Sequence, residues 1–216
     1  GTPLRIGKVP LPAGTECEHL AFIGGPGTGK SQAIMGLLDA IRARGDAAVI
    51  YDSKGTFTGH YYDAKRGDVL LNPLDARTRP WSPWAEIEDE MDADRVAHAL
   101  IPAGDHSTPF FHDTARAMLS AALMKMRGIK GDKPALERLL QLLLHASAEQ
   151  REAFYRGTDV TQIYDKGGER MRASVEQNLR TYARTLRYLP LQSGGPDDFS
   201  ILRHIQGIDS RDRQPW

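Results

Sequence analysis

The stretch Gly24-Gly25-Pro26-Gly27-Thr28-Gly29-Lys30-Ser31 constrains this chain more than any other. It fits the G-x-x-x-x-G-K-[ST] phosphate-binding loop and lies between an apolar run, Leu20-Ala21-Phe22-Ile23, and a helical pattern carrying Ile34, Leu37, Leu38 and Ile41. The run reads as a buried parallel strand, and residues 32–44 as the helix that follows it. A triphosphate is a dense cluster of negative charge, so holding it takes several donors that converge with no side chain in the way. Glycines at 24, 25, 27 and 29 let backbone N–H groups approach, and the start of the helix presents its positive end to them. In this reading Gly25, Pro26, Gly27, Thr28, Gly29, Lys30, Ser31 and Gln32 bind the nucleotide, ATP. Lys30 reaches the β/γ-phosphates and is the catalytic group, and the Ser31 hydroxyl ligates Mg²⁺. A glycine-rich turn that merely joins strand to helix would leave unexplained why every required position and both flanking elements agree.

Composition narrows the rest. A chain of 216 residues with 40% hydrophobic content can bury a sizeable core. Lys+Arg and Asp+Glu stand at 28 each, so there is no global basic field of the kind that coats nucleic acid, and any DNA contact is local. The single cysteine, Cys17, excludes an internal disulfide and a cysteine-based zinc cluster, which fits a reducing compartment such as the cytoplasm. No run approaches the roughly 18 apolar residues of a membrane span. No signal-peptide layout opens the chain, so a soluble polypeptide is expected, and its abrupt ends at Gly1-Thr2-Pro3 and Gln214-Pro215-Trp216 read as those of a fragment.

Residues 1–19 are rich in Gly and Pro and read as an edge strand or hairpin, or as a segment that covers the nucleotide base. After the loop helix, Arg44-Gly45 supplies a basic last turn and a glycine stop, and Ala47-Ala48-Val49-Ile50-Tyr51 follows as a second buried strand. Right-handed crossover would place its carboxyl end, Asp52-Ser53-Lys54-Gly55, on the same side of the sheet as the loop. Asp52 is thus a candidate metal ligand, with a turn-forming Asp as the equal alternative. A third short strand is expected over Asp68-Val69-Leu70-Leu71, ending at Asn72-Pro73.

From residue 86 to residue 189 the patterns are helical. The acidic cluster Glu86, Glu88, Asp89, Glu90, Asp92 and Asp94 reads as dipole partners and a solvated face of the first helix, which ends before Pro102 and Gly104. Thr108 as N-cap with Pro109 opens a second helix that runs to Gly128, with methionines as core filler. A leucine-rich third helix spans 134–145, and Ser147 with Gln150 in capping-box spacing opens a fourth that stops at Gly157. Over 169–189, Met171, Val175, Leu179, Tyr182, Leu186 and Leu189 form one apolar stripe. Arg170, Arg172, Arg180, Arg184 and Arg187 fall largely outside it, interrupted by Glu176. Arginine forks suit phosphate, so Arg172, Arg180, Arg184 and Arg187 are candidate DNA contacts, against the alternative of an ordinary solvated face. Past the loop Gln192-Ser193-Gly194-Gly195-Pro196, the chain is expected to return toward the sheet, with a short element beginning at Asp198-Phe199-Ser200-Ile201-Leu202.

Hydrolysis also needs a carboxylate in the magnesium shell and a residue that positions water. No apolar strand ending in Asp-Glu follows residue 73, which leaves Asp52 as the strand-terminal acid near the loop. The seven histidines, His98, His106, His112 and His145 among them, form no His-x-x-x-His pair on a common helix.

The layout resembles the TraD/TrwB-type coupling proteins of conjugative type IV secretion, within the FtsK/HerA-like motors. The resemblance rests on Ile6-Gly7-Lys8-Val9-Pro10-Leu11-Pro12, residues 19–31, Tyr51-Asp52-Ser53-Lys54-Gly55, Leu71-Asn72-Pro73-Leu74-Asp75 with Arg77 and Trp81, and Phe199-Ser200-Ile201. It implies an α/β fold, an incomplete RecA-like P-loop nucleotide-binding domain with an inserted all-α domain. The first part of the P-loop domain would be 1–85, the all-α insertion 86–189 and the return segment 190–216. It further implies a membrane-anchored hexameric ATPase at the cytoplasmic side of the inner membrane, which brings a single-stranded DNA–relaxase complex to the secretion channel. Lys30 and Ser31 carry over as nucleotide and magnesium contacts. The family's Asp-Glu strand would follow Trp216, so residues 1–216 alone are expected to bind nucleotide without turning it over. Two other readings stay open: a self-contained phosphotransferase using Asp52, and a docking module for a relaxosome protein.

Overall fold

The structure is a computed structural model that describes residues 3–12, 14–103, 109–128, 135–165, 168–189 and 198–209. The chain packs as two units, Gly1–Val69 with Ile205–Trp216, and Leu70–His204.

In the first unit, Arg5–Ile6 (β1) and Val9–Pro10 (β2) form an antiparallel hairpin with Ile6 opposite Val9. The turn takes a positive φ at Gly7, and Leu11 N–H closes onto the Leu4 carbonyl at 2.7 Å. The loop helix α1 spans Lys30–Arg44 and stops at Gly45, whose left-handed backbone lets its N–H reach the Arg42 carbonyl. Arg44, in the last turn, donates through two nitrogens to the two oxygens of Glu16 at 2.7 Å each, and also pairs with Asp46. This fork ties the end of α1 to the 3-10 turn Thr15–Cys17. A short helix, α2, spans Thr56–Tyr61. The Tyr61 hydroxyl lies 2.9 Å from both the Met35 carbonyl and an Asp39 carboxylate oxygen, which docks α2 on α1.

The three expected core strands do not form. Among the described residues the one ladder is β1–β2, and 20–23, 47–51 and 68–71 carry no strand pairing. The reason is physical rather than local: a strand exists only as part of a ladder, and the described residues offer none to 20–23 and 47–51, while 68–71 has only isolated bonds, such as Arg79 N–H to the Leu70 carbonyl at 2.9 Å. Their side chains show the same lack of cover, with Ile23 94%, Val49 90% and Tyr51 92% exposed.

The second unit is helical. A 3-10 turn, Pro83–Glu86, leads into α3, Glu90–Leu100, and α4, Pro109–Arg127, packs against α3. Asp89 caps α3 in a capping box with Asp92, whose carboxylate also accepts the Glu88 N–H at 2.9 Å. The expected Thr108 cap of α4 and the Pro134 start of the leucine-rich segment lie outside the described residues. That segment appears as α5, Leu136–Leu140, running into a π-helical turn, Gln141–His145. Ser147 and Gln150 form the expected capping box of α6, Ala148–Tyr155. A 3-10 turn, Asp159–Thr161, and α7, Gln162–Asp165, precede α8, Glu169–Ala183, which continues as a 3-10 turn over Arg184–Tyr188.

Met118, Leu123, Leu136, Leu139, Leu143, Tyr155, Val175 and Leu179 form the fully buried centre. Each such leucine stabilises the unit by roughly 1.5–3 kcal/mol, and truncating one to alanine costs about 2–5 kcal/mol once the cavity is included. The Trp84 indole donates to the Leu123 carbonyl at 3.1 Å, so the turn before α3 is held to α4. The last described element, α9 at Ile201–Asp209, is a helix and not a strand returning to a sheet. Ser200 accounts for it: its hydroxyl accepts the Arg203 N–H at 3.1 Å, and its carbonyl accepts the His204 N–H at 3.1 Å. The loop at 192–196 lies outside the described residues. Among the described residues no helix is long and apolar enough to cross a membrane.

Candidate functional site

The loop between residue 23 and α1 is shaped by its glycines. Gly27 and Gly29 hold positive φ of 74° and 84°, a region that costs a side chain energy and turns successive N–H groups inward. Gly24 is needed for space: a Cβ there would meet the Thr28 hydroxyl oxygen at 2.6 Å. That hydroxyl is fixed, since it donates to the Gly25 carbonyl at 2.8 Å.

Lys30, the first residue of α1, folds back over this loop. Its ammonium donates to the carbonyls of Gly24 at 2.7 Å and Gly25 at 2.6 Å. An ammonium has three N–H donors, so one is left for an anion held at the loop. The first intrahelical bond of this segment is Ala33 N–H to the Gly29 carbonyl at 2.9 Å, and no side chain caps α1. The N–H groups of Lys30, Ser31 and Gln32 therefore face the helix start without an intrahelical acceptor. Together with the positive end of α1 they make a cradle suited to phosphate. Ser31 and Gln32 are exposed at its rim, with Pro26 in the turn that leads into it. These residues fit a nucleotide's anionic tail, and the Ser31 hydroxyl is open to a cation that the phosphates would share. No group of three or more His, Cys, Asp and Glu able to hold a metal occurs among the described residues. A magnesium ion bound through one hydroxyl, phosphates and water needs no such group.

Asp52 is occupied differently from the metal ligand anticipated for it. One carboxylate oxygen accepts the Thr56 N–H at 3.2 Å, and the other accepts the Thr58 N–H at 2.8 Å and the Thr58 hydroxyl at 3.0 Å. It thus closes the first turn of α2 behind Gly55, whose φ is 72°. Desolvation pushes the Asp52 carboxyl upward, but the hydrogen bonds from Thr58 and from the backbone of Lys54 and Phe57 outweigh it, and the group sits below its ordinary range. The turn reading accounts for all of these contacts.

The candidate nucleic-acid face divides in two. Arg172 lies over the Tyr164 ring, 6.0 Å from its centroid, and Arg180 turns toward Glu176 at 4.0 Å. Arg170, Arg184 and Arg187 are exposed. Glu176 does not interrupt a solvent face. It is buried, accepts from Arg151 at 2.7 Å, and lies 3.3 Å from the Tyr164 hydroxyl. Arg151 is itself 3% exposed and also donates to the Ala146 carbonyl at 2.6 Å, just past the π-helical turn. The sequence signal for this pair was one acid in a basic helix face, which by itself says nothing about which helix supplies its partner.

Comparison with known proteins agrees with this geometry. The family model for the type IV secretion-system coupling protein DNA-binding domain matches residues 3–215. The chain is 30% identical over 213 residues to coupling protein TraD of Escherichia coli (strain K12), covering 99% of this chain and 29% of that protein. Among solved structures it is similar to plasmid coupling protein TrwB in complex with the non-hydrolysable GTP analogue GDPNP, at TM-score 0.82 and 27% identity, covering 93% of this chain and 47% of the other. An unbound form of the bacterial conjugative coupling protein TrwBdeltaN70 matches at TM-score 0.84 and 26% identity, over 97% and 48% of the two chains. TrwB in complex with ADP and Mg²⁺ matches at TM-score 0.80 and 27% identity, over 93% and 47%. The chain thus spans under a third of the curated relative and about half of the solved ones. Over that span the fold is α/β, a RecA-like P-loop domain represented in part with an all-α domain. Matched along nearly its whole length, the chain belongs to the type IV secretion-system coupling proteins, in their DNA-binding domain.

Proposed function

We propose that this chain is the nucleotide-binding and helical part of an ATP-dependent, DNA-translocating coupling protein that links a relaxase–DNA complex to a type IV secretion channel in conjugation. One observation carries the reading: the Lys30 ammonium over the Gly24 and Gly25 carbonyls, at the mouth of a cradle lined by left-handed Gly27 and Gly29. Residues 25–32 bind the phosphates of ATP, with Lys30 as the group that stabilises the β/γ-phosphates and Ser31 as the magnesium ligand. When bound, magnesium neutralises the charge that develops as the terminal phosphate leaves. Lys30 supplies the matching positive charge from the protein, and the Lys30, Ser31 and Gln32 amides hold the phosphates in line. Asp52 serves this site by fixing the turn that starts α2.

TrwB in complex with ADP and Mg²⁺ supports a nucleotide and magnesium as ligands of this chain. The domain plan we favour is a P-loop domain over 1–85, an all-α insertion over 86–189 and a return segment over 190–216, working in a membrane-associated hexamer on its cytoplasmic side. Its nucleic acid is single-stranded DNA delivered with relaxase, met by exposed arginines where α8 passes into the turn after it.

The test is ATP hydrolysis by the full-length protein with and without single-stranded DNA. Several-fold stimulation by DNA that Lys30→Ala abolishes is expected. An ATPase indifferent to DNA contradicts the translocase.

A further inference from the structure

We propose that the end of α8 and its 3-10 extension form a stacking platform for single-stranded DNA, with Arg184 and Arg187 as its phosphate contacts and Tyr188 as its base contact. This rests on the DNA reading above and names the residues within it. Four arginines of this segment are candidates on sequence, and the structure separates them. Arg172 and Arg180 are engaged by their own helix and its neighbour: Arg172 lies over the Tyr164 ring, and Arg180 turns toward the buried Glu176. Arg184 and Arg187 are exposed, and no carboxylate among the described residues pairs with either.

Their spacing suits a strand of phosphates. In a 3-10 turn, residues three apart eclipse at a rise of about 2 Å per residue, so Arg184 and Arg187 project on one side about 6 Å apart. Thr185 and Tyr188 repeat the same spacing within the same turn. Tyr188 is 63% exposed, a large ring left in water, whereas Tyr182 packs against the core with its ring 5.7 Å from that of His112. The Thr185 hydroxyl is turned back to the Tyr182 carbonyl at 2.7 Å, which leaves the Tyr188 ring as the contact group of that side.

Charge argues for an anionic occupant. From Gln177 to Leu189 the chain has arginines at 180, 184 and 187 and no Asp or Glu. The one acid of α4, Asp113, is already paired with Arg116 at 2.9 Å. α5, which packs against the 3-10 turn, brings Glu137 and Arg138 in equal number. Guanidinium groups beside an exposed ring are what an unpaired strand uses, since its bases are free to stack, whereas a duplex offers only phosphates to this surface.

The experiment is fluorescence anisotropy of a labelled oligothymidine and of a duplex of equal length, titrated with this protein and its variants across a salt series. Arg184→Ala/Arg187→Ala is expected to weaken single-strand binding and to lower the log–log salt slope by about 1.4, the share of two phosphate contacts. Tyr188→Ala is expected to weaken single-strand binding about tenfold while duplex affinity and the salt slope stay put. Arg172→Ala is expected to keep single-strand affinity. If the unaltered protein ignores both nucleic acids, the DNA reading itself fails. If it binds the single strand and the Arg184/Arg187 variant binds equally well, the platform is wrong while that reading stands. A Tyr188→Ala effect equal on strand and duplex overturns the stacking.

Discussion

Glu86 accepts the backbone N–H of Ile201 at 2.6 Å from 115 residues away, so a carboxylate ahead of α3 caps α9. Its second oxygen accepts the Leu202 N–H and the Ser200 hydroxyl at 3.1 Å each, and the Trp81 indole donates to the first at 2.9 Å. One side chain thus satisfies two N–H groups of a helix start and staples the two ends of the helical unit together. Glu86→Ala is expected to destabilise the helical unit by about 1–3 kcal/mol, because donors are left unpaired as well as a bond lost. Glu86→Gln keeps one acceptor oxygen and should cost less. Urea unfolding followed by tryptophan fluorescence checks both, and an unchanged midpoint for the alanine variant would refute the staple.

The buried pair Arg151–Glu176 gives a second prediction. Removing Glu176 alone strands a guanidinium that is 3% exposed, which costs about 3–5 kcal/mol. Replacing both, as Arg151→Met with Glu176→Leu, should recover most of that, since neither desolvated charge remains. Thermal unfolding of the two variants decides: the double variant must melt higher than Glu176→Ala.

These two contacts show where sequence reading reaches and where it stops. The capping box of Ser147 and Gln150 and the stop of α1 at Gly45 were legible because cap and capped group lie within a few residues. Glu86 in an acidic cluster read as a solvated dipole partner, since nothing local tells that its donors sit at 200–202. The same holds for Glu176, whose partner Arg151 is 25 residues away on another helix. The apolar runs at 20–23 and 47–51 read as strands from composition alone, yet strand formation depends on neighbours that no single run encodes. At the loop, the glycine spacing and the start of α1 at Lys30 were legible. The return of Lys30 onto the Gly24 and Gly25 carbonyls was not.

Asp52 supplies a pH prediction. Its carboxyl is held below the ordinary aspartate value of 3.8, because hydrogen bonds from Thr58 and neighbouring backbone outweigh desolvation. A depressed folded-state value means the stabilisation is present above pH 3.8 and is lost as pH falls through that lower value. Thr58→Ala removes one of the donors, so the Asp52 carboxyl should titrate closer to 3.8 in a carbon-13 NMR titration. An Asp52 that titrates above 3.8 in the unaltered protein would show that the α2 cap does not hold.

The crowding at Gly24 can be tested by rescue. Gly24→Ala drives a Cβ against the Thr28 hydroxyl, and nucleotide affinity should fall about tenfold as the loop shifts. Adding Thr28→Ala removes the clashing atom and should restore part of the loss, although the bond to Gly25 goes with it. A double variant that binds worse than Gly24→Ala alone would mean the hydroxyl is not the obstacle.

The account turns on a phosphate cradle closed by Lys30. Isothermal titration calorimetry of this protein with MgATP and MgADP, beside Lys30→Ala, measures it directly. Saturable one-site binding of both nucleotides that weakens at least tenfold in Lys30→Ala is the predicted result, and equal affinity in the two proteins, or no binding to either nucleotide, would contradict it.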